Sequence, residues 1–347
     1  CSLPQRELVY QPSINIYFRS CFFSMAAIGY TEHGTITKMK MNHKSHIFHQ
    51  MRIVFLCSIA LILLHACQQS GEKKEVDSPT TGKITIAVDE TYKPILDSEL
   101  MVFAQLYPNA HVSAIYLPYA QLMTAFLEDS IRMIITAQSL NPEQAKRIEA
   151  KIRYIPKEAQ LGYDAVACIA HPSSGKMSLT KSELAKIIKG EISEWSQLSF
   201  KSPHQGKIGL VFDNANSSTA QYMIDSLIGG GTMSTNCFAL NSNVEVIDYI
   251  SKNSNAIGII GVNWISNNQD DQVQYFRKEI ETVGIIENDS IGSVHPYQAY
   301  IATNEYPLRR TMKAIIKEAG PGLGHGFANF SGGEQGQRII LKSGLVP

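Results

Sequence analysis

The sequence predicts an α/β fold built on mostly parallel central sheets. Two observations point there. From Gly82 onward, short apolar strands alternate with helical segments, and strands joined through helices pair in parallel with both faces covered. The chain is also 44% hydrophobic and 18% charged, an ordinary globular balance that excludes disordered, collagen-like and mucin-like classes. Its 347 residues allow two domains or one large one.

The elements follow in chain order. Lys83–Val88 (KITIAV) is a short apolar strand. In Ile95–Leu106 the apolar positions 95, 96, 100, 102, 103 and 106 recur with helical spacing, and Pro108 stops the helix. Val112–Ile115 and Met133–Thr136 read as strands, with a helix over Leu122–Leu127 between them. Ala165–Ala170, Ile208–Phe212 and Ala256–Ile260 are the strands of the second half. Thr180-Lys181-Ser182-Glu183 is a capping box, in which the Thr hydroxyl serves the N3 amide and the Glu reaches back. Leu184, Ile187 and Ile188 form the buried stripe of that helix, and Gly190 ends it. Ser217-Ser218-Thr219 opens another helix, which carries Met223, Ile224 and Leu227 and stops at Gly229-Gly230-Gly231.

Charge is balanced at 31 Lys+Arg against 31 Asp+Glu. No nucleic-acid partner is therefore expected, since such a partner selects a basic excess. Residues 1–66 hold six basic and two acidic residues, so the remainder holds 31−6 = 25 and 31−2 = 29, net −4. Residues 53–64 (IVFLCSIALILL) are twelve without a charge. That is too short to span a bilayer, which takes about 18 or more, and right for a signal-peptide core of roughly 7–15. Lys38, Lys40, Lys44 and Arg52 precede it, and Ala66 and Cys67 close it. Leu64-His65-Ala66-Cys67 resembles a bacterial lipobox, although His65 replaces the usual small residue. The resemblance implies lipidation of Cys67 and cleavage before it. An ordinary signal peptide or a short anchor helix is the alternative. The expected organisation is upstream translation or an extended n-region over 1–50, a lipoprotein signal peptide over 51–66 and a flexible polar tether over 67–82. The protein would be exported and lipid-anchored to a bacterial membrane facing the periplasm, with the cell surface as the alternative.

Other chemistry has little support. His43, His46 and His49 lie in the segment expected to be removed, and no CxxC or HExxH spacing occurs, so neither a metal nor a cofactor is expected. Cys168 sits in an apolar run and reads as a buried strand residue; a Cys168–Cys237 disulfide has no positive support. There is no GxSxG elbow and no P-loop lysine, so an enzyme is not expected. Trp195 and Trp264 read as packing residues.

Ligands of open parallel sheets sit beyond the carboxyl ends of the strands. Three such ends are rich in hydroxyls and amides: Asp89–Tyr92, Thr136–Ser139 and Asp213–Thr219. The last joins Ser217, Ser218 and Thr219 to a helix start, whose free amides and partial positive charge suit an oxyanion. Plain N-capping is the competing reading, but one hydroxyl suffices for that.

Four stretches carry a family resemblance over about residues 82–347. They are LTKSELAKIIKGEISEWSQL (179–198), VFDNANSST (211–219), NAIGIIGVNW (255–264) and the tail with YPLRR, GFANF and EQGQRIILKSGLVP. Together they resemble the phosphate-binding proteins of bacterial ABC transporters, in the lipoprotein form of Bacteroides-like bacteria. The resemblance implies a periplasmic binding protein fold of type II, with two lobes joined by a two-strand hinge. Lobe one would be 83–164 plus 285–347 and lobe two 165–284, with crossovers at 163–170 and roughly 285–300. It also implies a monomer that binds inorganic phosphate or a related oxyanion, with ABC permease subunits as partners. The candidate ligand residues are those of the three strand ends, Thr91, Thr136, Gln138, Asp213, Asn216, Ser217, Ser218 and Thr219, with Ser217-Ser218-Thr219 standing where the family has S-G-T.

Two positions depart from the family. An Arg usually stands four residues before the first serine of the S-G-T motif, where this chain has Asp213. An Asp or Arg usually stands where this chain has Gln138. The family's charged partners therefore look missing, and two functions stay open: phosphate delivery to an importer, or a non-transport oxyanion-sensing or surface-interaction lipoprotein with an altered site. Asp213 itself either faces the ligand or makes a solvent-facing turn.

Overall fold

The computed structural model describes residues 77–128, 131–287 and 292–347, and Phe55 upstream. The expected leader, the lipobox with Cys67 and the first part of the tether lie outside the described residues. Among the described residues, no helix is long and apolar enough to cross a membrane. Nor does any group of three or more His, Cys, Asp or Glu side chains come together as metal ligands.

The first part of the body runs β1 (Gly82–Asp89), α1 (Lys93–Leu106), β2 (Ala110–Leu117), α2 (Tyr119–Leu127), β3 (Met133–Thr136) and α3 (Pro142–Ile152). The helix α3 has no expected counterpart in the sequence reading; its capping box is Asn141 with Gln144. Then β4 (Lys157–Ala170) runs for 14 residues. The second part holds β5 (Ser178–Thr180), α4 (Lys181–Lys189), β6 (Gly209–Phe212), α5 (Ser218–Met223), β7 (Cys237–Ala239), α6 (Asn243–Lys252) and β8 (Ala256–Gly261). It continues through α7 (Asn263–Ser266), α8 (Asp271–Glu279), β9 (Glu281–Thr282) and β10 (Gly284–Ile286). After α9 (Gln298–Ala302), the chain closes with β11 (Arg309–Ile316), α10 (Leu323–Ser331) and α11 (Glu334–Lys342).

The strands form a nine-stranded sheet ordered β2-β1-β3-β11-β4-β8-β6-β7, with β9 also on β4. Pairing is parallel within β2-β1-β3 and within β8-β6-β7. Only the strands between these blocks run antiparallel: β11 against β3 and β4, and β4 against β8 and β9. The first half of β4 pairs with β11 and the second half with β8, so one strand serves both lobes. The chain recrosses near Leu308, whose carbonyl accepts from Val166 N at 2.9 Å. Tyr306 Oη donates to the Val166 carbonyl at 2.8 Å. This second crossing lies later than residues 285–300. Ile285 and Ile286 still pair with Leu179 and Thr180, and the first sheet is rejoined only at Arg309.

Apolar burial explains the layers. Ile86, Ile95, Leu96, Phe103 and Phe327 are at most 1% exposed, and each such side chain contributes about 1.5–3 kcal/mol. Phe103 meets Phe327 and Phe330 edge-on, clamping α1 to α10. In the other lobe Leu184, Ile187 and Ile188 are buried as their spacing predicts, and Gly190 takes the left-handed φ of +80° that ends α4. Cys168 is buried in β4, Cys237 lies in β7, and both thiols are free.

Candidate functional site

The charge at the centre of the molecule comes from a residue the sequence reading passed over. Successive side chains on a strand point to opposite faces. At the start of β11 this sends Arg309 one way, onto the Tyr163 ring 3.5 Å from its centroid. It sends Arg310 the other way, into the space between the lobes. Arg310 is the cross-strand partner of Asp164, and its Nε donates to Asp164 Oδ2 at 2.6 Å. The two side chains are 1% and 0% exposed. Burial works against the guanidinium charge, but Asp164, Tyr92 and Asp89 outweigh it and hold Arg310 protonated.

The outer nitrogens of Arg310 reach both lobes. Nη2 donates to Thr91 Oγ1 at 3.1 Å, just after β1. Nη1 donates to Thr219 Oγ1 at 3.3 Å and Ser218 Oγ at 3.4 Å, in the first turn of α5. All three hydroxyls are fully buried. A hydroxyl that accepts from a guanidinium keeps its own proton to donate. The arrangement is therefore a cationic centre ringed by three hydroxyls from two lobes, that of Ser218 also serving the Asp89 carboxylate, and it suits an oxyanion.

The closed contact is fixed by backbone as well. The Thr91 carbonyl accepts from Asn263 Nδ2 at 2.7 Å and Trp264 Nε1 at 3.0 Å, both across the lobes. Gly261 ends β8 against them. A Cβ at this position would stand 2.5 Å from Thr91 Oγ1 and 3.3 Å from Arg310 Nη2, so the close approach needs glycine. Ala120 N, at the start of α2, donates to the Asn216 carbonyl at 3.3 Å.

Carboxylates surround this centre. Asp89 is fully buried; its Oδ1 accepts from Thr91 N at 3.1 Å, and its Oδ2 has no partner. Burial pushes its pKa up to about 6, with Ser218 and Arg310 pulling the other way. Glu90 is pushed up to about 7 by burial and by repulsion from Asp213 and Asp89.

Asp213 fits neither expectation. It is fully buried, so it makes no solvent-facing turn. Its oxygens are also taken up by neighbours in its own lobe: Oδ1 accepts from Ser217 Oγ at 2.6 Å and Asn214 N at 3.0 Å, and Oδ2 from Asn243 Nδ2 at 3.2 Å. Ser217 Oγ in turn accepts from Ala220 N at 3.1 Å. Asp213 and Ser217 thus brace the loop that presents Ser218 and Thr219. Burial raises the Asp213 carboxyl, against the hydrogen bonds of Ser217 and Asn214.

The structure therefore brings together Thr91, Ser218 and Thr219 of the expected residues. Thr136 is buried and accepts from Gln138 N at 3.3 Å. Among the described residues no hydrogen bond joins Thr136 or Gln138 to the Arg310 cluster. Asn216 has an exposed side chain and meets the other lobe through its carbonyl. Trp195 is a buried packing residue, but Trp264 is not merely packing, because its indole N–H holds the Thr91 carbonyl. A separate concavity of about 510 Å³, lined by Ile265, Arg277, Tyr297 and Lys342 among others, contains none of these groups.

A sequence profile described as a PBP superfamily domain matches residues 74–334. The chain belongs to the PBP superfamily. Among curated proteins it is similar to the phosphate-binding protein PstS of Bacillus subtilis (strain 168), 23% identical over 303 residues that cover 85% of this chain and 93% of that one. The phosphate-binding protein PstS of Borreliella burgdorferi is 23% identical over 304 residues, covering 85% and 97%. Among solved structures, a substrate-binding protein from Clostridium perfringens with bound phosphate superposes with a TM-score of 0.64, 20% identity and coverage of 76% and 99%. An ABC-type phosphate transport receptor from Vibrio cholerae gives 0.60, 19%, 76% and 99%. These likenesses establish the fold of this PBP-superfamily chain; its site stands on the residues above.

Arg310, Asp164, Gly261 and Asn263 are site residues that the sequence pattern does not single out. A signal for Arg310 existed in YPLRR. Two adjacent arginines after an apolar pair, on a strand, must face opposite sides, and one side is the interior.

Proposed function

We propose that this protein captures inorganic phosphate between its two lobes and delivers it to an ABC importer. The observation that carries the reading is Arg310, which meets hydroxyls of both lobes at once. Hydrogen bonds to a charged group contribute about 1.5–3 kcal/mol each, so an anion drawing on Arg310, Thr91, Ser218 and Thr219 would hold the lobes together. The relatives named as phosphate-binding proteins support the same ligand. The apparent lack of a cation was the reason to favour a non-transport sensor, and Arg310 removes that reason.

In this reading the ligand set is Arg310, Thr91, Ser218 and Thr219. Asp89 Oδ2 accepts the proton that phosphate carries at neutral pH. Asp213 and Ser217 position the loop. The role is binding rather than catalysis. Lobe one comprises 83–164 and the C-terminal part of the chain, lobe two the residues between, and closure presents both to the permease. The protein acts as an exported monomer, lipid-anchored through Cys67. Calorimetric titration with phosphate and with sulfate tests the ligand. Saturable phosphate binding with little sulfate heat is expected; equal binding of both, or of neither, overturns the proposal.

A further inference from the structure

One end of lobe one gathers the point where the upstream chain enters and a basic tip. Asp77 meets Arg132, and its Oδ1 accepts from Leu323 N at 3.0 Å. The Arg132 carbonyl accepts from Lys317 N at 2.8 Å. Tyr154 Oη donates to the Lys317 carbonyl. The entry of the chain and the loop after α3 are thus linked through three contacts. That loop carries Ile155, 66% exposed. It follows Arg153, whose left-handed φ of +67° turns the chain out of α3.

The charge of this tip runs against that of the body. Residues 146–158 hold Lys146, Arg147, Lys151, Arg153 and Lys157 against Glu149 and Glu158. All five basic side chains belong to exposed residues, and Lys151 Nζ keeps two of its three donors beyond the bond it makes to the Leu127 carbonyl at 2.6 Å. Glu158 is engaged elsewhere, accepting from Leu140 N at 3.1 Å and pairing with Lys313 at 3.6 Å. The chain from Cys67 on is net −4, as counted above. A basic cluster around a bare isoleucine is the chemistry of an interfacial contact: cations for headgroup phosphates and one apolar side chain to insert.

Reach decides between a membrane and a distant partner. Cys67 lies ten residues before Asp77, and a fully extended chain covers at most ~3.3–3.6 Å per residue. A lipid on Cys67 therefore keeps the Asp77 end within ~35 Å of the bilayer. We infer that the α3–β4 tip, with Lys151, Arg153, Ile155 and Lys157, rests on an anionic phospholipid surface and sets the domain's orientation over the membrane. This rests on membrane attachment upstream of Asp77 and is independent of the ligand between the lobes.

The test uses the full chain in vesicles of phosphatidylglycerol or of phosphatidylcholine, with hydrogen exchange as the readout. Amides of residues 150–156 should exchange about fivefold or more slowly on phosphatidylglycerol, while α6 in the other lobe is unchanged. Lys151→Glu with Arg153→Glu and Lys157→Glu should abolish the slowing and leave phosphate titration as it was. Equal exchange on both lipids overturns the inference. So does slowing that survives charge reversal. Protection seen only in native membranes would assign the tip to a protein instead and would equally refute the lipid contact.

Discussion

Gly261→Ala separates closure from folding. Gly261 belongs to lobe two and faces Thr91 of lobe one. The added Cβ would lie 2.5 Å from Thr91 Oγ1 and 2.7 Å from Asn263 Oδ1, well inside van der Waals contact. Its backbone is not left-handed, so alanine is tolerated by β8 itself. Parting the lobes relieves the Thr91 contact and a turn of the Asn263 side chain relieves the other, and overpacking of this kind costs about 1–3 kcal/mol. The contacts at risk are the Arg310 bond to Thr91 and the two bonds that hold the Thr91 carbonyl. Because each ~1.4 kcal/mol is a factor of ten, phosphate affinity should fall by roughly 5- to 140-fold. The fold of each lobe keeps its core, so the melting temperature of the unliganded protein should move little. Calorimetry with parallel thermal melts reads both. Unchanged affinity would refute the placement of the ligand beside Thr91, and a large loss of stability would show that closure and folding are not separable here.

Thr219→Val should weaken phosphate about tenfold at little cost to stability, read by titration. Ser217→Ala should do the reverse, since it removes an N-cap and a partner of buried Asp213; about 1–2 kcal/mol of stability should be lost in a denaturant melt, with a smaller effect on affinity. Asp89→Asn replaces a carboxylate by an amide that can donate, so competition titrations should show sulfate gaining on phosphate. Glu99 is buried and bonded to Ser331 at 2.6 Å, and burial pushes its pKa up to about 7 against that bond. A raised carboxyl pKa favours the protonated fold, so its stability is fully present below about pH 4.5 and is lost as pH rises through about 7. Glu99→Gln should therefore be more stable than the parent at pH 8, by on the order of 3 kcal/mol, and match it at pH 4, read by denaturant melts at both.

The strand and helix pattern was legible wherever local rules decide. Met133–Thr136 is a strand as read, and Thr180 with Glu183 forms its capping box. The unread elements are those whose signals are tertiary. The strand β11 carries charge on its interior face because Asp164 waits across the hinge, and only the pairing of β11 with β4 shows that. In the site, hydroxyl richness pointed correctly to Ser218 and Thr219, but it could not rank Ser217, which is turned inward by Asp213. A charge expected near the S-G-T position in sequence stands instead 92 residues beyond Ser218, on a strand brought back to the same spot.

The most direct test of the central claim is a crystal structure grown with phosphate. The account predicts one anion between the lobes, within hydrogen-bond distance of the Arg310 guanidinium and of Thr91, Ser218 and Thr219. An anion held elsewhere, or lobes closed on Arg310 with no anion beside it at saturating phosphate, would contradict the account.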